Sequence, residues 1–575
     1  MPPADRGCLI PVILNSEYSN NRINMRKNYF RKLLSKYIKK PSATVICLSL
    51  AIITTVNISY ENWNHEYKII AHDVNSYYAY LPMIFIYGDP AMKFIDDFPE
   101  KAKKHYWVID TPAGKKAIIT SMGLAYLFTP FFLAGHAIAQ FTPFAGDEFS
   151  APYKISLIVS CLFYLTIGLI FLRKVLLRYF SESVTTITLI VITFGTNLLH
   201  YVTEEPTMTH AFSFSMISVF IFLVEKWFER PGVKIAFLTG ALAGLITLVR
   251  PSNVIVILLL VFWGIVSFND IPARASFYLK RWYLVLLMIL AFIMVWVPQF
   301  WYWHYTSGSI LFNTYGSEGA GFFFDNPQVY HTLFSYRKGW FVYTPLMVFV
   351  IPGLILLYRQ QRRLFLPILV FLLVNIYVIS SWWCWWYGGG FGLRSFIDSY
   401  ALMAIPLAAF ISWTIKRKQI VKWPLLMLLA GAVYLNVFQV MQYKRGFLHY
   451  VSMSKASYWA VFHSLSPDRH YLDNLVFPDY PAAHNGVYYP ETEIPMGLER
   501  KLGMRGWAYL DVLKDSVRNH PDIFGIDISS GTDDMSRETI IHEEGISMFR
   551  NRVNDYYESV KKNKEMEKQR QVKDQ

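Results

Sequence analysis

Only four cysteines occur in 575 residues. Cys47 and Cys161 lie inside apolar segments, and Cys8 and Cys384 fall on opposite sides of the topology developed below. No disulfide framework is implied, and the redox compartment is not legible. Charge is scarce too: 17% of residues are charged, against 54% hydrophobic. No Walker loop, zinc-type Cys/His spacing, GxSxG elbow or dinucleotide glycine fingerprint stands in a suitable context, which removes support for ATP-driven transport and for the common soluble chemistries. The sequence names no cofactor, and a divalent metal has no support in it.

What the chain has instead is apolar residues in long blocks, where soluble domains have short periodic pieces. About 30 Å of hydrocarbon needs roughly 20 apolar helical residues. About eleven stretches approach that length: 43–60, 155–172, 184–201, 208–224, 235–249, 254–268, 283–303, 340–357, 364–382, 399–415 and 423–441. The expected fold is an all-α polytopic membrane protein. The formal charge of +14 does not point to nucleic acid. The lysines and arginines sit mostly in short loops between apolar blocks and in the N-terminal run Arg26, Lys27, Arg31, Lys32, Lys36, Lys39 and Lys40.

That run places segment 1–42 in the cytoplasm by the positive-inside rule, with a long loop, 61–154, outside. One further apolar stretch, 117–141, lies in this loop. If it crossed, the basic loops at Arg173/Lys174/Arg178, Arg359/Arg362/Arg363 and Lys416/Arg417/Lys418/Lys422 would fall outside. If it lies at the outer interface or re-enters, they fall inside. Pro130, His136 and Gln140 favour the second arrangement. The expected organisation is then a cytoplasmic segment 1–42, a transmembrane domain 43–441 in the plasma (inner) membrane, and a small external C-terminal domain 442–575 that ends in the polar run Lys561 to Gln575. The first 24 residues hold no convincing signal peptide, since the apolar run from Cys8 to Leu14 is short and broken by Pro11. Met25 offers an alternative start, with residues 1–24 a disordered or superfluous extension.

Four cations break the charge rule by falling in short external loops: Arg250, Arg337, Lys338 and Arg394. Segments 235–249 and 254–268 are only about 22 Å long as helices, so Arg250 between them sits near or below headgroup level. A guanidinium there is costly unless it meets a carboxylate, carbonyls or an anion such as a lipid phosphate; snorkelling to headgroups serves as well. Arg337 and Lys338 close the aromatic, glycine-containing loop 304–338, which suits a lid over an anionic ligand or ordinary interfacial anchoring. Trp382, Trp383, Trp385, Trp386 and Tyr387, followed by a glycine-rich turn and Arg394, exceed what an aromatic belt requires. The glycines let backbone N–H groups approach a ligand, and Arg394 can grip phosphate in a bidentate fork. Asp73, followed by Tyr77 and Tyr78, opens the first external loop. A carboxylate held near the bilayer surface can take a proton from an attacking hydroxyl, and it can equally cap the helix it precedes. Glu204, Glu205 and His210 mark another external turn, where His210 can donate to a phosphate or the turn can simply be solvated.

Taken in order, Asp73 with Tyr77, Tyr78 and Pro82, then Pro130-Phe131-Phe132, Arg250-Pro251, Gly339-Trp340-Phe341 with Pro345, and Gly388 through Arg394 make residues 43 to about 445 resemble the GT-C superfamily of glycosyltransferases. The bacterial members similar to dolichyl-phosphate-mannose protein mannosyltransferases and aminoarabinose transferases are the nearest in pattern. The resemblance implies a sugar donor on a polyprenyl phosphate and inverting transfer to a hydroxyl of a protein or cell-envelope glycolipid at the outer face. It puts Asp73 in the catalytic acid/base position. By location, and not by a diagnostic spacing, it gives the donor phosphate to Arg394, Arg250, Arg337, Lys338 and His210. Tyr77, Tyr78, Trp382, Trp383, Trp385, Trp386 and Tyr387 would line a sugar or lipid groove. Some relatives carry a two-acid first loop; here the nearby acids are Asp89, Asp96, Asp97 and Asp110, so no metal site is implied. The competing class is a transporter or flippase for a polyprenyl-linked sugar, which needs a similar groove. No clear repeat relates the two halves, and the long first loop suits an enzyme better.

Overall fold

The computed structural model describes residues 40–316, 320–488 and 490–573. The basic run up to Lys39 and the choice between Met1 and Met25 lie outside the described residues. A helix satisfies its backbone N–H and C=O groups within one segment, and the long apolar runs become helices for that reason. Numbering helices of ten residues or more, the chain runs α1 (Pro41–Tyr60), α2 (Asp73–Phe85), α3 (Gly123–Ala139), α4 (Ala151–Tyr179), α5 (Glu182–Phe194), α6 (Thr209–Glu229), α7 (Val233–Val249), α8 (Trp282–Ser307), α9 (Val350–Gln360), α10 (Arg362–Ser380), α11 (Tyr400–Ile415), α12 (Gln419–Lys444), α13 (Gly506–Asn519) and α14 (Asp534–Lys573).

Among the described residues, seven helices are long and apolar enough to cross a membrane: α1, α4, α6, α8, α10, α12, and α11 together with the 3-10 turn Arg394–Ser399 that leads into it. The helices at the other four expected spans are shorter, because proline and glycine interrupt apolar runs that look continuous by hydropathy. α5 stops at Gly195. Arg250 is extended (φ −146°, ψ 110°) before Pro251, so α7 and the segment Pro251–Phe262 are separate helices. Pro345 has no N–H with which to continue Trp340–Tyr343, so the expected span 340–357 is broken at Thr344.

Over its most apolar 18 residues the helix led by Arg394 is wholly buried and α6 is 78% buried, whereas the corresponding stretches of α1 and α8 are 28% and 22% buried. The first two are therefore the centre of the bundle and the others its periphery. α7 meets α8 through Gly240 and Gly244, where an added Cβ would strike the backbone of Met288 and Phe292. Small residues four apart allow that close approach.

Contacts define two ends. At one, Asn57 Nδ2 donates to Val202 O at 2.9 Å, Ser121 Oγ to Leu248 O at 2.6 Å, and Lys444 pairs with Glu204 at 3.0 Å. At the other, Arg173 pairs with Glu182 at 3.2 Å and Arg178 with Glu225 at 3.2 Å. Helix α3 starts with Gly123 against the backbone of Leu248 and Val249 and ends with His136 Nδ1 2.7 Å from Tyr153 Oη, near the start of α4. Both its ends thus touch the first end of the bundle. The loop around it holds a two-stranded antiparallel hairpin, Val108–Asp110 with Lys116–Ile118.

The region after α12 packs back on this same end. Arg337 donates to Glu493 Oε2 at 2.6 Å, with both side chains buried, and Trp385 and Trp386 pack with Val451 and Ala483.

Candidate functional site

Helix α2 begins at Asp73, after His72, whose positive φ (54°) with ψ −132° turns the chain into the helix. Asp73 is the first helical residue and not the cap; its carboxylate complements the N-terminal end of the helix dipole. Asp73 Oδ2 accepts from Arg394 Nη2 at 2.7 Å. Arg394 opens the 3-10 turn Arg394–Ser399, whose residue Asp398 faces a second set of donors. Asp398 Oδ2 accepts from Arg250 Nη1 at 3.0 Å and from Asn253 Nδ2 at 2.9 Å, and Asp398 Oδ1 lies 3.1 Å from His210 Nδ1. One turn of backbone thus carries two ion pairs. They differ in access at the carboxylate: the Asp73 side chain is 30% exposed and that of Asp398 4%, while their arginines, Arg394 and Arg250, are alike at 15% and 16%. Only the first pair has a carboxylate open to an arriving ligand.

Tyr77 lies four residues after Asp73, on the same helix face. Burial and then the Asp73 carboxylate push its phenol up to about 12, against the opposing pull of Arg250 and Arg394. Tyr387 (φ 57°) places its ring 5.9 Å from the Arg250 guanidinium. Lys338 is buried and donates to Gly390 O. Among the described residues no carboxylate lies within ion-pair distance of its ammonium. Burial, then the Arg394 charge, bring it down to about 7 from the ordinary lysine value. Across the same pocket of charge, burial pushes Glu205 up, but His200 and Arg394 outweigh it and hold the carboxyl at about 2.

The structure brings together Asp73, Tyr77, His210, Arg250, Tyr387 and Arg394, with Lys338 joined through Gly390. Other expected site residues are committed elsewhere. Arg337 is taken by Glu493 and the Val451 carbonyl. Tyr78, one position round the helix from Tyr77, is fully buried and donates to the Glu148 carbonyl. Trp385 and Trp386 are 2% and 1% exposed. Trp383 stacks on His484 at 3.8 Å, and Trp382 packs against Phe322 at 4.7 Å. The tryptophan cluster is the seam on which the C-terminal region sits. In the glycine turn, Gly390 (φ 137°) leaves no room for a Cβ beside Tyr201 Oη, which accepts from Phe391 N at 3.1 Å. The turn at Glu204 is not solvated either, since Glu204 and His210 are buried.

Asp398 and Asn253 went unread in the sequence, although a carboxylate at the boundary of an apolar segment, four residues after a cation, is a signal in its own right. Among the described residues no three His, Cys, Asp or Glu side chains converge as a metal site would require. No family model matches the chain, and no curated protein matches it.

Proposed function

We propose that this chain is a membrane glycosyltransferase that moves a sugar from a polyprenyl-phosphate donor to a hydroxyl acceptor, with inversion, at the outer face of the plasma membrane. The reading takes eleven crossings, the N-terminus in the cytoplasm and the C-terminal region outside. The position of α3, with both ends at one end of the bundle, fits that count. The observation that carries the proposal is the accessible Asp73–Arg394 pair, 2.7 Å apart, on the same 3-10 turn as the buried carboxylate of Asp398, which holds Arg250.

In the absence of donor, each member of the pair satisfies the other. A lipid phosphate competes for Arg394 as a bidentate anion and releases Asp73. Asp73 then accepts the proton of the acceptor hydroxyl as its oxygen bonds to the anomeric carbon. The bond from that carbon to the phosphate oxygen breaks, and the lipid phosphate leaves with the electron pair. Arg394, with Lys338 close behind it, stabilises the charge that builds on the departing oxygen in a poorly hydrated site. Arg250 and His210, both held by Asp398, set the field around that position.

The test is incubation of membranes containing the chain with a radiolabelled polyprenyl-phosphate sugar. Labelled acceptor together with free polyprenyl phosphate is expected. Donor moved across the bilayer but chemically unchanged would replace this reading with that of a flippase.

A further inference from the structure

A cavity of about 700 Å³ opens between the turn after α1, the short helix Pro99–His105 and the loop leading into α4. Its volume lies within the roughly 300–1,000 Å³ of small-molecule sites. Neither Asp73 nor Arg394 lines it, but its wall touches the helix that begins at Asp73: the main-chain carbonyl of Lys104 accepts from Asn75 Nδ2 at 3.4 Å.

The wall combines aromatic surface with charges of both signs: Lys101 and Lys104 are in ion pairs, while among the described residues Glu100, Asp147 and Lys154 are in none. Trp63 is half-buried, Phe144 is exposed, and the Phe149 ring stacks on His105 at 4.1 Å. Lys104 pairs with Glu66, and Lys101 pairs with the buried Glu148 at 2.6 Å. Lys154 is buried, and its ammonium donates to the carbonyls of His65 at 2.8 Å and Glu66 at 3.4 Å. A lysine has three N–H donors; among the described residues the third has no acceptor.

Donors and acceptors spread over one wall, some paired and some not, suit a ligand with many polar groups better than a single ion. A sugar is such a ligand. Each hydroxyl both donates and accepts, so it bridges a lysine N–H and a glutamate oxygen without separating them, while the C–H face of the ring lies on an aromatic side chain. We propose that this cavity binds an oligosaccharide and is the acceptor subsite of the transfer. The second half of that statement rests on the glycosyltransferase reading and narrows its acceptor from any hydroxyl to a glycan.

The experiment uses the full chain in lipid nanodiscs, free of glycoside detergent, with chitotetraose, maltotetraose and tetragalacturonate as probes. Saturation-transfer NMR from protein to sugar protons is expected for at least one of the three. Phe144→Ala, an exposed position safe for folding, and Lys104→Met should each reduce that signal at least fivefold; Phe268→Ala, exposed at a site far from the cavity, should leave it unchanged. Absence of transfer to all three probes, or an undiminished signal in both cavity variants, overturns the proposal. Donor turnover by the unmodified chain is measured separately. Saccharide binding lost in the cavity variants, but with no donor turnover, would keep the saccharide pocket and remove the transferase.

Discussion

Arg394 Nη2 donates to Asp73 Oδ2 at 2.7 Å, joining two side chains 321 positions apart in the chain. The contact makes the candidate base and the candidate phosphate ligand competitors for one another until a donor arrives, so their substitutions must have different signatures.

Asp73→Asn is expected to lower transfer by about 10²–10⁴, the span of general base catalysis. Donor affinity should stay the same or tighten, because Arg394 is released. Arg394→Ala should instead weaken donor binding, by about tenfold or more for the loss of a charge-assisted contact worth roughly 1.5–3 kcal/mol. Titration with a fluorescent polyprenyl phosphate, alongside turnover, separates the two; near-normal turnover of Asp73→Asn would remove Asp73 from its role.

Asp398 is buried among Arg250, Asn253 and His210. Asp398→Ala leaves the Arg250 guanidinium without its anion, and breaking a buried pair from one side costs about 3–5 kcal/mol. A large drop in thermal unfolding temperature is expected. The double variant Asp398→Leu/Arg250→Met should recover much of it, because neither charge is then left alone; no recovery would mean that His210 and Asn253 carry the cost.

Lys338 gives a pH signature. With its ammonium brought down to about 7 by burial and Arg394, it is charged below that value and loses its proton above it. Donor affinity should therefore fall as pH rises from 6 to 8, and Lys338→Met should flatten the profile. Stability runs the other way: between about 7 and the ordinary lysine value the unfolded chain binds a proton that the folded chain does not, so folding is favoured as pH rises through that window. Binding and unfolding measured across the same pH series check both signs.

Glu493→Gln removes the anion from the buried Arg337 pair. The expected result is faster proteolytic cleavage after Arg445 with the helical bundle intact. Unchanged cleavage would show that the tryptophan seam alone holds the C-terminal region.

Several parts of this arrangement were visible in the sequence. The apolar blocks mark the helices, and the cations set against the charge rule mark residues with special partners: Arg250 and Arg394 each meet a carboxylate at the expected end of the bundle. The breaks at Thr344–Pro345 and Arg250–Pro251 were less visible, because hydropathy windows average over a single proline. The packing of the tryptophans was not visible at all. An indole cluster beside glycines reads as a ligand groove when the sequence does not say what surface the C-terminal region 442–575 covers.

The sequence by itself determined that this chain is helical and apolar over long runs, because backbone satisfaction and hydrophobic length are local properties of each segment. It also determined which charges need an explanation. Only the tertiary structure decided which charges meet. Asp73 pairs with Arg394, Asp398 takes Arg250, and Arg337 goes to Glu493. Pairing depends on which helix ends share a level and a face, and that is fixed by close packing between segments hundreds of residues apart.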